Sequence, residues 1–182
     1  MGASSSQNET IQRTGKGLSI AIRPMEARDA FALRELFNTL SERSIRQRFF
    51  GSKKKISEAL VDQLTAESDD QLVLTAFEDK PVRENPRMIA VARVIKDSDG
   101  TAGEYDIIVG DPWQKKGVGK TLLAECFRIA KAQGVKTIRA EILRDNAPML
   151  SVLNQLGIEF EKQVDADAYR VTIDLAASRI AD

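Results

Sequence analysis

The run Gln114-Lys115-Lys116-Gly117-Val118-Gly119-Lys120-Thr121 constrains this chain more than any other segment. It follows the β-like stretch Tyr105-Asp106-Ile107-Ile108-Val109 and leads into the helical pattern Leu122-Leu123-Ala124-Glu125-Cys126-Phe127. A strand, a glycine-containing loop and a helix in that order build an anion site. Glycine lets the backbone curl close to a ligand, first-turn N–H groups have no helical partner, and the helix dipole adds positive potential. Lys115, Lys116 and Lys120 strengthen that field. The segment reads as a pyrophosphate cradle, with a tight turn before an ordinary helix as the plain alternative.

Two phosphate loops can be excluded by spacing. A nucleotide P-loop requires a glycine five positions before Gly119, where the chain has Gln114. The dinucleotide fingerprint fails because Gly117-x-Gly119 is followed by Leu122 rather than a third glycine. What remains is Gln-x-x-Gly-x-Gly, beginning shortly after the valine that ends a strand.

The chain has 182 residues, enough for one domain with a real core. Lys+Arg and Asp+Glu both total 27, so the net charge of zero gives no reason to expect nucleic acid or a membrane surface as partner. No apolar run approaches the ~20 residues of a membrane span, and the N-terminus lacks a charged-then-apolar leader. With the single cysteine Cys126 excluding an internal disulfide framework, a reducing cytoplasm is the expected compartment. The absence of histidine removes Ser-His-Asp and Cys-His machinery and argues against zinc; no metal site is expected. Chemistry here falls to carboxylates, tyrosine, lysine or the backbone.

Periodicity and punctuation give the element order. Residues 1–17 are Ser-, Gln- and Gly-rich and read as a disordered tail, and 177–182 as a C-terminal tail. A strand over 18–22 precedes a helix over 26–40. Ser41 caps a short helix to Phe50, which Gly51 ends, and Ser57 or its neighbour starts another. Strands over 71–77, 88–95 and 104–109 form an antiparallel meander. The cradle helix runs to about Ala132 and a strand over 136–142 follows as a parallel βαβ neighbour. Asn146 caps a helix to Leu156, and strands over 159–164 and 169–175 close a hairpin around Asp165-Ala166.

The pattern from Gln114 to Gly119 closely resembles the acyl-CoA-binding loop, Arg/Gln-x-x-Gly-x-Gly/Ala, of the GNAT superfamily of N-acetyltransferases. The element order over 18–176 is also similar to that fold, an α/β (α+β mixed) domain with a central mixed, mostly antiparallel sheet flanked by helices. The stretch Leu143 to Met149, then Leu156-Gly157-Ile158-Glu159-Phe160, looks like its closing motif. Leu40-Ser41-Glu42-Arg43-Ser44-Ile45-Arg46-Gln47-Arg48-Phe49-Phe50 resembles the Leu-Ser-x-x-Ser-x-x-x-Arg-Phe-Phe of bacterial Pat-type protein lysine acetyltransferases, and Gly103-Glu104-Tyr105 their Ala-Glu-hydrophobic strand. In that family the GNAT domain is often fused to a nucleotide-binding or synthetase-like domain.

The resemblance implies acetyl-CoA as cosubstrate and direct transfer to a primary amine in a ternary complex, most naturally a protein lysine. A small-molecule amine, or a non-catalytic acyl-CoA sensor, are the alternatives. It implies that backbone N–H groups from Lys116 to Lys120 face the pyrophosphate, with Gln114, Lys115 and Thr121 completing the loop. It further implies that Ile107, Val109 and Asn146 hold the pantetheine arm; Asn146 is equally accounted for as a helix cap. A lysine amine with pKa near about 10.4 is almost wholly cationic at neutral pH and needs a base. Glu104 matches the family's acidic position; Asp106, two residues on, shares its face and is the reserve. A solvent-facing strand carboxylate is the plain reading of either. A main-chain N–H at Ile108 or Val109 would stabilise the oxyanion. Where many relatives carry a tyrosine that protonates the leaving thiolate, this chain has Leu153, so no general acid is named. Tyr105 and Tyr169 read as packing residues and Cys126 as core. Trp113 reads either as packing or as flanking the cofactor. Arg43, Arg46, Arg48 and Lys53 to Lys55 read as a solvated basic face able to guide an acidic protein partner.

Overall fold

A computed structural model describes residues 9–50, 56–79 and 86–180. Its frame is an eight-stranded sheet in the order β1-β2-β3-β4-β5-β6-β8-β7. The strands are β1 (Thr10–Arg13), β2 (Ser19–Pro24), β3 (Gln71–Glu78), β4 (Met88–Lys96), β5 (Ala102–Val109), β6 (Thr137–Leu143), β7 (Phe160–Asp165) and β8 (Ala168–Asp174). Every pairing is antiparallel except β5 with β6, the two strands joined by the crossover helix.

Helices α1 (Ala30–Phe37), α2 (Glu42–Phe49) and α3 (Glu58–Thr65) precede the meander, while α4 (Val118–Ala132) and α5 (Ala147–Gln155) follow it. Two apolar layers result. On one face α4 buries Leu122, Leu123, Cys126 and Phe127 against β2–β4, at the three-four spacing of a core-facing helix. On the other, Leu33, Leu36 and Phe37 of α1 and Val61 and Leu64 of α3 pack on Val73, Val91 and Ile108. With both faces covered, β4 reads Met-Ile-Ala-Val-Ala and is buried throughout that run.

Ser41 and Ser57 cap α2 and α3 as the sequence implied, each side-chain oxygen accepting an N–H three residues on. The helix expected over 26–40 is shorter. Asp29 accepts the Glu26 N–H at 2.8 Å and is gripped by both terminal nitrogens of Arg23, at 2.8 and 2.7 Å, which tightens the entry into a 3-10 turn over Ala27–Asp29. At the other end the Thr39 hydroxyl donates to the Leu36 carbonyl at 2.6 Å, closing the helix at Phe37. Phe50, in the left-handed region at φ 55°, ends α2; the predicted terminator Gly51 lies outside the described residues, as do Lys53 to Lys55.

Both predicted tails need correction where they are described. Thr10–Arg13 forms an edge strand on β2, and a turn from Thr14 to Leu18 connects them. Polar composition hid this strand because its order comes from pairing with β2 across that turn rather than from its own residues. At the other terminus Ser178 is buried, its hydroxyl accepting from the Glu159 N–H at 3.2 Å, and Lys131 Nζ donates to the carbonyls of Ala176 and Ser178.

Candidate functional site

The sheet opens at its one parallel junction. β5 and β6 pair only from Ala102↔Thr137 to Glu104↔Arg139, yet β5 continues to Val109 and β6 to Leu143. The phase of the β4–β5 ladder tells which backbone groups face that opening. Gly110 N donates to Ile89 O and Asp97 N to Ala102 O, at 2.9 and 2.8 Å, at the two ends of an unbroken register. In an antiparallel pair such exchanges recur every second residue, so Glu104, Asp106 and Ile108 turn their amides toward β4. Tyr105, Ile107 and Val109 turn theirs toward the opening. The Val109 carbonyl accepts from Gln114 Nε2 there, at 3.1 Å.

The ladder phase separates the two amides expected to stabilise an oxyanion. The Ile108 N–H is committed to β4 and its side chain is core, so Ile108 is removed from the candidate donors. Val109 keeps an N–H on the open side. Ile107 keeps one as well, as an extended ligand laid along the strand edge requires.

α4 begins at the same end of the opening. Its first residues follow Gly117 at φ 84°, after Lys115 at φ 59°, a pair of left-handed residues that turns the loop back under the helix. No side chain among the described residues caps this helix, so the first-turn amides of Val118 and Gly119 are left without a capping partner, a geometry that suits an anion. A Cβ on Gly117 would come within 3.1 Å of Thr14 Cβ, because the turn after β1 packs against the loop. That turn also brings Lys16 to the same rim. Lys16 was missed in the sequence because the segment around it read as tail.

A cleft of about 1500 Å³ runs from this loop between the splayed strands. Glu104, Ile107, Ile108 and Val109 line it from β5. Gln114, Lys115, Gly117, Gly119 and Lys120 line it from the loop, and Asn146 from beyond β6. Lys116 is exposed outside it, and Val118 and Thr121 lie behind it, Val118 wholly within the core. Asn146 serves as helix cap, its side chain accepting from Met149 N at 3.3 Å. Trp113 packs: it is buried, donates to Glu78 Oε1 at 2.9 Å and does not line the cleft. Leu153, at the position where many relatives carry tyrosine, is fully buried.

The two strand carboxylates share a face but have different surroundings. Glu104 is exposed to the cleft. Asp106 is held through Oδ2 by Arg93 Nε and Nη2, at 3.0 and 2.6 Å, and by Arg48 Nη2 at 2.6 Å. With that oxygen engaged by three N–H donors, Asp106 is an anchor rather than a free base. Burial lowers the Arg48 pKa from its usual value and nearby Arg93 adds to that, with Asp106 opposing both. The predicted solvated face of α2 is therefore corrected at Arg48, whose side chain is 19% exposed. Arg46 stays at the surface and pairs with Asp145 at 2.8 Å, so α2 bridges the mouth from β5 to the turn after β6.

Asp111 was also missed. Its carboxylate accepts from Ser44 Oγ at 2.7 Å, from the Ser41 N–H at 3.2 Å and from Gln114 Nε2 at 3.1 Å; Gln114 Nε2 also reaches Ser44 Oγ at 3.0 Å. The Leu-Ser-x-x-Ser segment is thus the clasp that joins α2 to the loop.

The model of the acetyltransferase (GNAT) family matches residues 35–158, more than half of the chain. The protein belongs to the GNAT family. This GNAT chain is 24% identical over 158 residues to acetyltransferase PA5475 of Pseudomonas aeruginosa, covering 85% of itself and 83% of that protein. It is 32% identical over 71 residues to acetyltransferase Pat of Mycolicibacterium smegmatis, a match spanning 38% of this chain and 21% of that longer protein. Among solved structures it overlays the GNAT domain of S. lividans Pat with a TM-score of 0.81 at 23% identity, covering 93% of this chain and 98% of that domain. A cAMP-binding acyltransferase from Mycobacterium smegmatis gives a TM-score of 0.62 at 23% identity, with 92% of this chain but 47% of that one covered. No helix among the described residues is long and apolar enough to cross a membrane.

Proposed function

We propose that this acetyltransferase moves the acetyl group of acetyl-CoA to a primary amine, with a protein lysine as acceptor. The observation that carries the reading is the coincidence of two features at one end of the cleft: the open edge of β5 at Ile107 and Val109, and the uncapped start of α4. The first suits an extended amide-bearing arm and the second a pyrophosphate. The likeness to acetyltransferase Pat supports a lysine acceptor.

Acetyl-CoA, when bound, supplies an activated thioester with a good leaving group. The protein's own part is positional and electrostatic. Lys115, Lys120 and the first-turn amides hold the anionic end, while the Val109 N–H is placed to donate to a carbonyl oxygen that gains charge. Glu104 lies roughly 16 Å along the strand from Val109 at about 3.3 Å per residue, beyond the reach of a single bridging water, so as the base it takes the amine proton through a chain of several waters along the cleft. The anchoring of α2 across the mouth, through Asp106 on one side and Asp145 on the other, favours a small amine as the second reading.

The test combines calorimetry with acetyl-CoA and CoA-release assays on lysine peptides and on small amines. Acetyl-CoA binding with CoA release on peptides is the expected result. Failure to bind acetyl-CoA at high micromolar concentration removes the proposal. Binding without release on any amine leaves a sensor, and release on small amines alone selects the second reading.

A further inference from the structure

On the α2 side of the cleft, beside Glu104, the wall carries donors without acceptors. Arg93 Nη1, Arg48 Nε and Gln47 Nε2 are all buried and have no hydrogen-bond partner among the described residues. All three residues line the cleft, and Arg93 is 6% exposed. Their charge is also unbalanced. Two guanidinium groups converge on the single carboxylate of Asp106, and among the described residues Asp106 is the one carboxylate acting on Arg48. Glu104 and Glu141 share the cleft, but both are exposed. A buried positive charge with unfilled donors is costly unless an anion completes it. Arg48 ties α2 to β5 through Nη2 and Asp106, but its Nε, Arg93 Nη1 and Gln47 Nε2 have no acceptor among the described residues.

Resting on the N-acetyltransferase reading, we propose that this wall binds a carboxylate carried by the acceptor, held beside the amine that is acetylated. Arg93 stands directly across the ladder from Asp106, and Glu104 is two residues along β5, roughly 7 Å away at about 3.3 Å per residue. A planar guanidinium with free N–H groups suits a carboxylate, and Gln47 adds a neutral donor from α2. In a protein acceptor the carboxylate is an Asp or Glu next to the target lysine. In an amino acid it is the α-carboxylate. The chemistry recognised is the same.

The experiment uses the full chain, acetyl-CoA and three acceptors: a lysine peptide with flanking Asp, the same peptide with Asn at those positions, and free lysine. Arg48→Met and Gln47→Leu are tested in parallel, with melting temperature and acetyl-CoA affinity confirming that each is folded. A charge-assisted contact predicts a kcat/KM roughly tenfold higher for the Asp peptide than for the Asn peptide, expressed in KM. That preference should collapse in both variants while acetyl-CoA affinity stays unchanged. Free lysine outperforming both peptides also supports the wall and assigns it to an α-carboxylate. Equal rates for the Asp and Asn peptides with free lysine no better than either, or a preference that survives both substitutions, overturn this inference alone. So does a preference for succinyl-CoA over acetyl-CoA with the neutral peptide, since the carboxylate would then belong to the acyl donor. No turnover with any acceptor overturns the acetyl-transfer reading and this inference with it.

Discussion

The proposed cofactor end and the proposed acceptor wall of the cleft are built by different means. The cofactor end comes from one continuous stretch, the end of β5 through the start of α4, and its working parts are mostly backbone amides set by Lys115 and Gly117 in the left-handed region. The acceptor wall is assembled from α2, β4 and β5, and its working parts are side chains: Gln47, Arg48, Arg93 and Asp106. A backbone site survives most side-chain replacements but not a change in its dihedral angles. A side-chain site survives as long as its strands and helix stay in register. The first therefore suits an invariant ligand group and the second a group that differs between acceptors.

If the two ends are separate, variants should affect one ligand at a time. The largest effect belongs to Glu104→Gln. Turnover should fall roughly a hundredfold, the scale of a lost general base, with acetyl-CoA affinity unchanged by calorimetry. A parallel loss of affinity would break the division, and intact turnover would remove Glu104 as base. Next is Gly117→Val. A β-branched residue at φ 84°, with its Cβ 3.1 Å from Thr14 Cβ, should weaken acetyl-CoA binding roughly tenfold and lower the melting temperature. The acceptor KM extrapolated to saturating acetyl-CoA should stay constant.

Asp111→Ala is a smaller perturbation that sharpens the comparison, because Asp111 touches both ends through Ser41, Ser44 and Gln114. Losing an acceptor at the start of α2 should cost about 1 kcal/mol in denaturant titration. It should also raise both KM values a few-fold, the one substitution here to do so.

The smallest effect concerns the core behind both ends. Burial pushes the Tyr105 hydroxyl and the Cys126 thiol above their ordinary values. Their neutral forms are favoured in the fold, so this stability is complete below the ordinary thiol value of 9.0. It is lost as pH rises beyond that, where the unfolded chain releases protons that the folded chain retains. Denaturant midpoints at neutral pH and at about pH 10 should show the decline, and Cys126→Ala should remove the thiol's share. Thiol reagents should label Cys126 only as fast as the chain opens; rapid labelling of the native protein would refute its burial.

Legibility followed the same division. The strand-loop-helix and its glycines could be read because every part lies within a few residues of the next. The caps Ser41 and Ser57 were legible for the same reason. β1 was not, since its order comes from pairing with β2 across a turn and its composition resembles a tail. The choice between Ile108 and Val109 was equally hidden. It depends on the phase of the β4–β5 ladder, which no property of either residue reveals. Arg48 looked like one member of an exposed basic run until the fold placed it against Asp106, far away in the chain.

Local chemistry alone determined that this chain carries a strand, a glycine-bearing loop and a helix on a mixed sheet, because turn, cap and periodicity act over a few bonds. Only tertiary structure decided where β5 and β6 part, which amides are left facing the gap, and which arginines share one carboxylate. Those outcomes depend on register and on contacts between distant segments, and register is a property of paired strands rather than of any single one.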